Sequence, residues 1–71
     1  MKMQPVESST ITAIGHEGST LEIHFKSGGR YQYDPVPAAV HAALIAAKSI
    51  GSYFHQHIRN NADYRTRRTD K

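Results

Sequence analysis

The residues with the most chemical potential in this chain are Tyr31 and Tyr33, two positions apart and beside Arg30 and Lys26. Side chains two apart on a β-strand share one face. Exposed, such rings form a platform on which unpaired bases stack, while neighbouring cations hold phosphates. The rings have a competing use. Leu, Ile, Val and Phe together number only 13 of 71 residues, so a small core has need of both tyrosines, their hydroxyls reaching its rim. Further along stand Tyr53, Arg59, Arg65, Arg67 and Arg68, which complete a candidate nucleic-acid-binding set. Residues 1–58 hold four cations and four anions; residues 59–71 hold five cations and two anions, so the net charge of +3 lies wholly in the C-terminal segment. A neutral body with a basic end is one footprint of polyanion binding. It is also the composition of a solvated end that keeps a protein in solution.

Other chemistries find little support. Cysteine is absent, which removes disulfides, thiolate metal sites and cysteine nucleophiles. Among five histidines, His55 and His57 lie two apart in a helical region and point away from each other, whereas a helical metal-binding pair needs a spacing of three or four. The serines sit in strands, turns and caps, and none occupies a strand-to-helix elbow of the hydrolase kind. Glu17, Glu22 and Asp34 are scattered, with no apolar pocket to raise a pKa. Gly28-Gly29 has no helix behind it to make a phosphate loop. The expectation is therefore no catalytic residue, no metal and no cofactor. No apolar run is long enough to cross a membrane and the N-terminus lacks a signal-peptide pattern, so a soluble, cytoplasmic protein is expected.

The elements that position these residues follow from periodicity. Residues 1–7, with Pro5, show little pattern and read as a flexible lead. Ser9–His16 reads as a strand in which Ile11 and Ala13 share a face while Ile14 takes the other; either both faces meet something or a bulge shifts the register. Gly15–Gly18 signals a turn. Thr20–Lys26 alternates, with Leu21, Ile23 and Phe25 on one face and Glu22, His24 and Lys26 on the other. Gly28-Gly29 supplies a tight hairpin turn, and Arg30–Asp34 reads as a third strand. Pro37 suits a helix start, and Ala38–Lys48 has high helix propensity. Val36, Val40, Ala43, Leu44 and Ala47 form its narrow apolar stripe, with His41, Ile45 and Lys48 on the other side. Ile45 is thus either an apolar residue in water or one that meets a neighbour. Ser49 caps a second helix whose face is Ile50, Phe54 and Ile58.

The ordered motifs Ser9-x-Ile11-x-x-Ile14-Gly15, Leu21-x-Ile23-x-Phe25-x-x-Gly28, Tyr31-x-Tyr33, Val36-Pro37 and Ser49-x-Gly51-x-Tyr53-Phe54-x-x-x-Ile58-Arg59 resemble the KTSC domain family. The similarity covers about residues 8–64. That family takes its name from a C-terminal extension of some lysyl-tRNA synthetases and also occurs as short stand-alone proteins. The resemblance implies RNA binding, through that attachment, and brings no catalytic residues. His55 stands where the family pattern has Asn, and His16 where an aromatic is common, so specificity here would differ if those positions touch a ligand.

Together these readings predict a small α+β domain: a three-stranded antiparallel meander followed by two short helices packed on one sheet face, over residues 8–59, with residues 60–71 as a basic tail. The expected function is a non-catalytic nucleic-acid-binding module for RNA or tRNA, using Arg30, Tyr31, Tyr33, Tyr53, Arg59, Arg65, Arg67 and Arg68. The alternative is a protein-interaction or homodimerisation module using Ile45 and an open first- or third-strand edge.

Overall fold

Five strands make one antiparallel sheet in sequence order: β1 (Met3–Pro5), β2 (Ile11–Glu17), β3 (Thr20–Phe25), β4 (Arg30–Asp34) and β5 (Arg65–Arg68). Between β4 and β5 come α1 (Ala38–Ala46) and α2 (Ile50–Phe54), which runs straight on into a π-helical turn, His55–Arg59. The computed structural model describes residues 1–69; Asp70 and Lys71 of the basic segment lie outside them.

The three predicted strands are present, and the bulge is the realised alternative. Ile11 pairs with Phe25 and Ala13 with His24, which leaves Thr12 as the extra residue. The shift turns Ile11 and Ile14 to the same side, where both are fully buried. β2 runs on through Glu17, so the turn is Gly18-Ser19, with Gly18 at φ +63° as the first central residue of a two-residue hairpin. At the next hairpin the Phe25 N–H donates to the Gly29 carbonyl at 2.9 Å, and Gly28 alone takes positive φ, at +102°.

The prediction of three strands is corrected to five. The segment read as a lead supplies β1, whose Met3, Gln4 and Pro5 pair with Gly15, Ile14 and Ala13. Proline is tolerated there because β1 is an edge. The segment read as a tail supplies β5, whose Arg65, Thr66, Arg67 and Arg68 pair with Asp34, Tyr33, Gln32 and Tyr31. The edges of β2 and β4, offered above as docking edges, are therefore covered by strands of the same chain. Tyr64 anchors the return by packing half-buried on the core.

One sheet face holds the core. Ile11, Ile14, Leu21, Ile23 and Tyr33 from the strands meet Val36, Leu44, Phe54 and Ile58 from the segment that follows. Burying each such aliphatic side chain stabilises the fold by roughly 1.5–3 kcal/mol. The Ser49 hydroxyl accepts from the Ser52 N–H at 3.4 Å, capping α2 as its sequence indicated. α1 keeps its predicted stripe except at Ala43. Ala43 is exposed, while His41 and Ile45 are half-buried. Val36 and Leu44 of that stripe are buried and Val40 and Ala47 half-buried, so the buried face keeps Leu44 at its centre and widens toward His41 and Ile45, where larger side chains gain more from burial than the Ala43 methyl does.

Candidate functional site

At the sheet end where β2 begins and the β3–β4 hairpin turns, the helical layer leaves two adjoining depressions. The first encloses about 590 Å³. Phe25 and Phe54 line it together with Ser9, Thr10, Ser27, Ser49 and Ser52, the polar His55 and Gln56, and the cations Lys26 and Arg59. The second encloses about 460 Å³ and adds Tyr31, Tyr33 and Thr66. Phe25, Ser27 and Arg59 line both. Among the described residues no Asp or Glu lines either depression.

The walls are set by local sequence. Gly51 lets α2 approach the segment just before β2 closely, since a Cβ there would lie 2.8 Å from Thr10 Oγ1. The aromatic floor is locked edge to face. Phe25 meets Tyr31 and Phe54 at ring-centroid distances of 5.6 Å, and Tyr33 meets Phe54 at 5.2 Å. Arg68 lies over the Tyr31 ring at 5.5 Å and donates to its hydroxyl at 3.5 Å. Burial pushes the Tyr33 phenol above its ordinary pKa of 10.0, with the Arg59 charge opposing the shift.

The predicted binding residues divide between the two faces. Arg59 lines the cleft and Arg68 stands beside Tyr31. Tyr31 is half-buried and lines the second depression. Tyr33 is only 4 % exposed, so its ring is a core residue and the stacking role proposed for it is corrected. Tyr53 is half-buried beside His57, ring centroids 4.4 Å apart, outside both depressions. Arg30, Arg65 and Arg67 face the other side of the sheet, because strand neighbours alternate. Ile45, named for protein docking, packs half-buried against the core. The candidate set above omitted Phe25, Ser27, His55 and Gln56. Only the positions of Lys26 and Ser27 at a hairpin could have flagged them, since the rest depends on where α2 lands.

On the open face a polar chain runs across three strands. His24 Nε2–H donates to Glu22 at 2.6 Å, Gln32 donates to the other Glu22 oxygen at 2.8 Å, and Arg67 donates to the Gln32 carbonyl at 2.7 and 3.0 Å. The Gln32 hydrogen bond, aided by His24, holds the Glu22 carboxyl below its ordinary pKa of 4.5 against the opposing effect of desolvation. At the far end of the helical side, His16 Nε2–H donates to the Val36 carbonyl at 2.7 Å, and its ring stacks on His41 at 4.8 Å. Burial, then the His16 charge, lowers the His41 pKa from 6.5. Among the described residues no three His, Asp or Glu side chains converge as a metal site, and no helix is long and apolar enough to cross a membrane.

The family model of the KTSC domain matches residues 7–64. The chain belongs to the KTSC domain family. A crystal structure of a KTSC domain protein from Yersinia pestis superposes with a TM-score of 0.89 at 36% identity, over 96% of each chain. An uncharacterised protein of Stutzerimonas stutzeri is 40% identical over 58 residues, covering 79% of this chain and 82% of that protein. A lysine–tRNA ligase of Nostoc is 40% identical over 60 residues, which are 82% of this KTSC chain and 11% of the ligase. The motifs quoted for the family all fall within the matched range.

Proposed function

We propose that this KTSC domain is a non-catalytic nucleic-acid-binding module whose ligand is RNA, bound in the double depression beside α2. The observation that carries the reading is the lining of that cleft: Lys26 and Arg59 among aromatic, serine and threonine residues, with no carboxylate among the described residues. Cations with aromatic residues are what a nucleic-acid strand meets in sequence-tolerant binding sites. The serines and threonine, with His55 and Gln56, suit the donor and acceptor groups of ribose and base edges. The similarity to a lysine–tRNA ligase, a protein that by its name acts on tRNA, supports RNA as the class. A cytoplasmic setting belongs to the same proposal, since RNA and the cysteine-free composition are both at home there.

The test is a titration of fluorescent single-stranded RNA and of tRNA with the full chain at several salt concentrations. Binding that weakens steeply with salt, with a slope lowered by about two in the Lys26→Ala/Arg59→Ala double variant, is the expected result. Binding no stronger than that of a scrambled basic peptide, or a slope unchanged in the double variant, defeats the proposal. Light scattering on the same samples reads out self-association, the rival use of the domain.

A further inference from the structure

This inference rests on the RNA reading and names the form of the ligand. The cleft is two rooms rather than one. Each depression, at about 590 and about 460 Å³, falls within the size range of pockets that enclose one small organic ligand. Phe25, Ser27 and Arg59 are common to both and so form the boundary between them. Arg59 is exposed and ends the π-helical turn, so its guanidinium reaches the boundary from the side without being part of the core. A planar fork of donors at a boundary is suited to a phosphate that links two units.

The two rooms differ in chemistry. The first is rich in hydrogen-bonding groups: Ser49, Ser52, His55 and Gln56. The second adds the half-buried ring of Tyr31 to that of Phe25, with Ser27, Arg59 and Thr66 from β5 as its polar side. We infer that the cleft takes two consecutive nucleotides of a single strand, one base read by the hydrogen-bonding groups of the first room, the next seated beside Tyr31 and Phe25 in the second, and the linking phosphate held by Arg59. A paired duplex does not satisfy this arrangement. Its bases are stacked inside and its hydrogen-bonding edges are engaged, so it offers the two rooms only backbone. Unpaired bases present both edge and ring surface.

The inference is tested with the full-length chain against uridine monophosphate, the dinucleotide UpU, a single-stranded uridine tetramer, a short RNA duplex and the matching single-stranded DNA. The expected result is a step of about tenfold between one nucleotide and two, the worth of one additional stacked base. A smaller gain should follow with each further nucleotide, and the duplex should be the weaker ligand at equal charge. Arg59→Ala should abolish the step and Arg59→Lys restore part of it, because a lysine keeps the charge without the fork. Backbone amide shifts on the unaltered protein give a second readout, with UpU expected to move Ser27, Ser52 and His55 rather than Gln32 and Arg67. Equal affinity for one and two nucleotides, a duplex bound as well as the single strand, or shifts confined to the open face overturns the two-room inference while leaving RNA binding intact. Single-stranded DNA binding as well as RNA would assign the rooms to the shared backbone and bases, and would overturn RNA as the preferred class. Failure of every nucleic acid to bind overturns both readings.

Discussion

The two faces of the sheet carry comparable cationic side chains and put them to different uses. β5 shows the division within four residues: Arg65 and Arg67 go to the open face, Thr66 and Arg68 to the helical one. On the open face Arg67 is committed to Gln32, which is committed to Glu22, and Arg65 stands opposite Asp34 in register. Arg67 thereby helps hold β5 to the sheet, and both arginines stand in the company of carboxylates. On the helical side Lys26 and Arg59 rim a concavity that has hydroxyls and rings but no carboxylate among the described residues. Net charge alone does not distinguish these cases. What distinguishes them is their company: carboxylates stand among the cations of the open face, and none lines the cleft among the described residues.

The largest effect that could break this contrast is on stability. Ile23 and Glu22 are neighbours on β3, one fully buried under the helices and the other on the open face. Ile23→Ala should cost about 2–5 kcal/mol, a large share of the roughly 4–11 kcal/mol expected of a domain this size. Glu22→Gln should cost only about 0.5–1.5 kcal/mol. Urea unfolding monitored by circular dichroism compares them, and similar costs would mean that the core is not where the asymmetry lies.

Binding comes next. Replacing Lys26 and Arg59 by Ala should weaken RNA binding by about tenfold or more and flatten its salt dependence by about two in slope, whereas Arg30→Ala/Arg67→Ala should change affinity only a few-fold. Anisotropy titrations of the two double variants decide this. A larger loss for the Arg30/Arg67 pair would move the interface to the open face.

Acid sharpens the open-face half of the comparison. The Glu22 carboxyl lies below its ordinary 4.5 in the folded chain because Gln32 and His24 hydrogen-bond to it. The folded state therefore binds fewer protons than the unfolded state just below pH 4.5. The stabilisation is present above that pH and is lost as pH falls through the lowered pKa. Melting temperature recorded from pH 6 down to pH 3 should fall less steeply in Glu22→Gln than in the parent chain.

The smallest effect lies at His41. Its pKa is lowered from 6.5 by burial and by His16, so protonation favours the unfolded chain. Stability should be complete above about pH 6.5 and decline as pH falls below it. His41→Phe should remove that part of the decline, read by the same melting series.

Much of the scaffold could be read directly from residue order. Alternation of Leu21, Ile23 and Phe25 against Glu22 and His24 placed the central strand and its inward face, and Ser49 marked the start of α2. The two edge strands escaped because nothing in their composition asks for burial. Met3-Gln4-Pro5 contains a residue that central strands reject, and Arg65–Arg68 is three-quarters arginine. Edge strands tolerate both, since one side of each is unpaired. The faint signal in β5 was alternation: Tyr64, Thr66 and Arg68 fall on one side, Arg65 and Arg67 on the other. For the cleft, Arg59 and Tyr31 were legible as candidates. Their meeting with Lys26, Ser27 and His55 was not, because it depends on the angle at which α2 crosses the sheet.

The order of residues by itself determined which side chains of β3 share a face, where the Gly28-Gly29 hairpin falls and which two segments are helical, because those properties depend on spacing within a few positions. Tertiary structure decided which of the tyrosines became core, which arginines acquired partners and which were left around a cavity. Tyr33 and Tyr31 have the same local pattern, yet one is sealed beneath Phe54 and the other lies half-open next to Arg68. That difference arises from what the helices cover, which is a contact between residues more than twenty positions apart for Tyr33 and Phe54. No short-range periodicity encodes it.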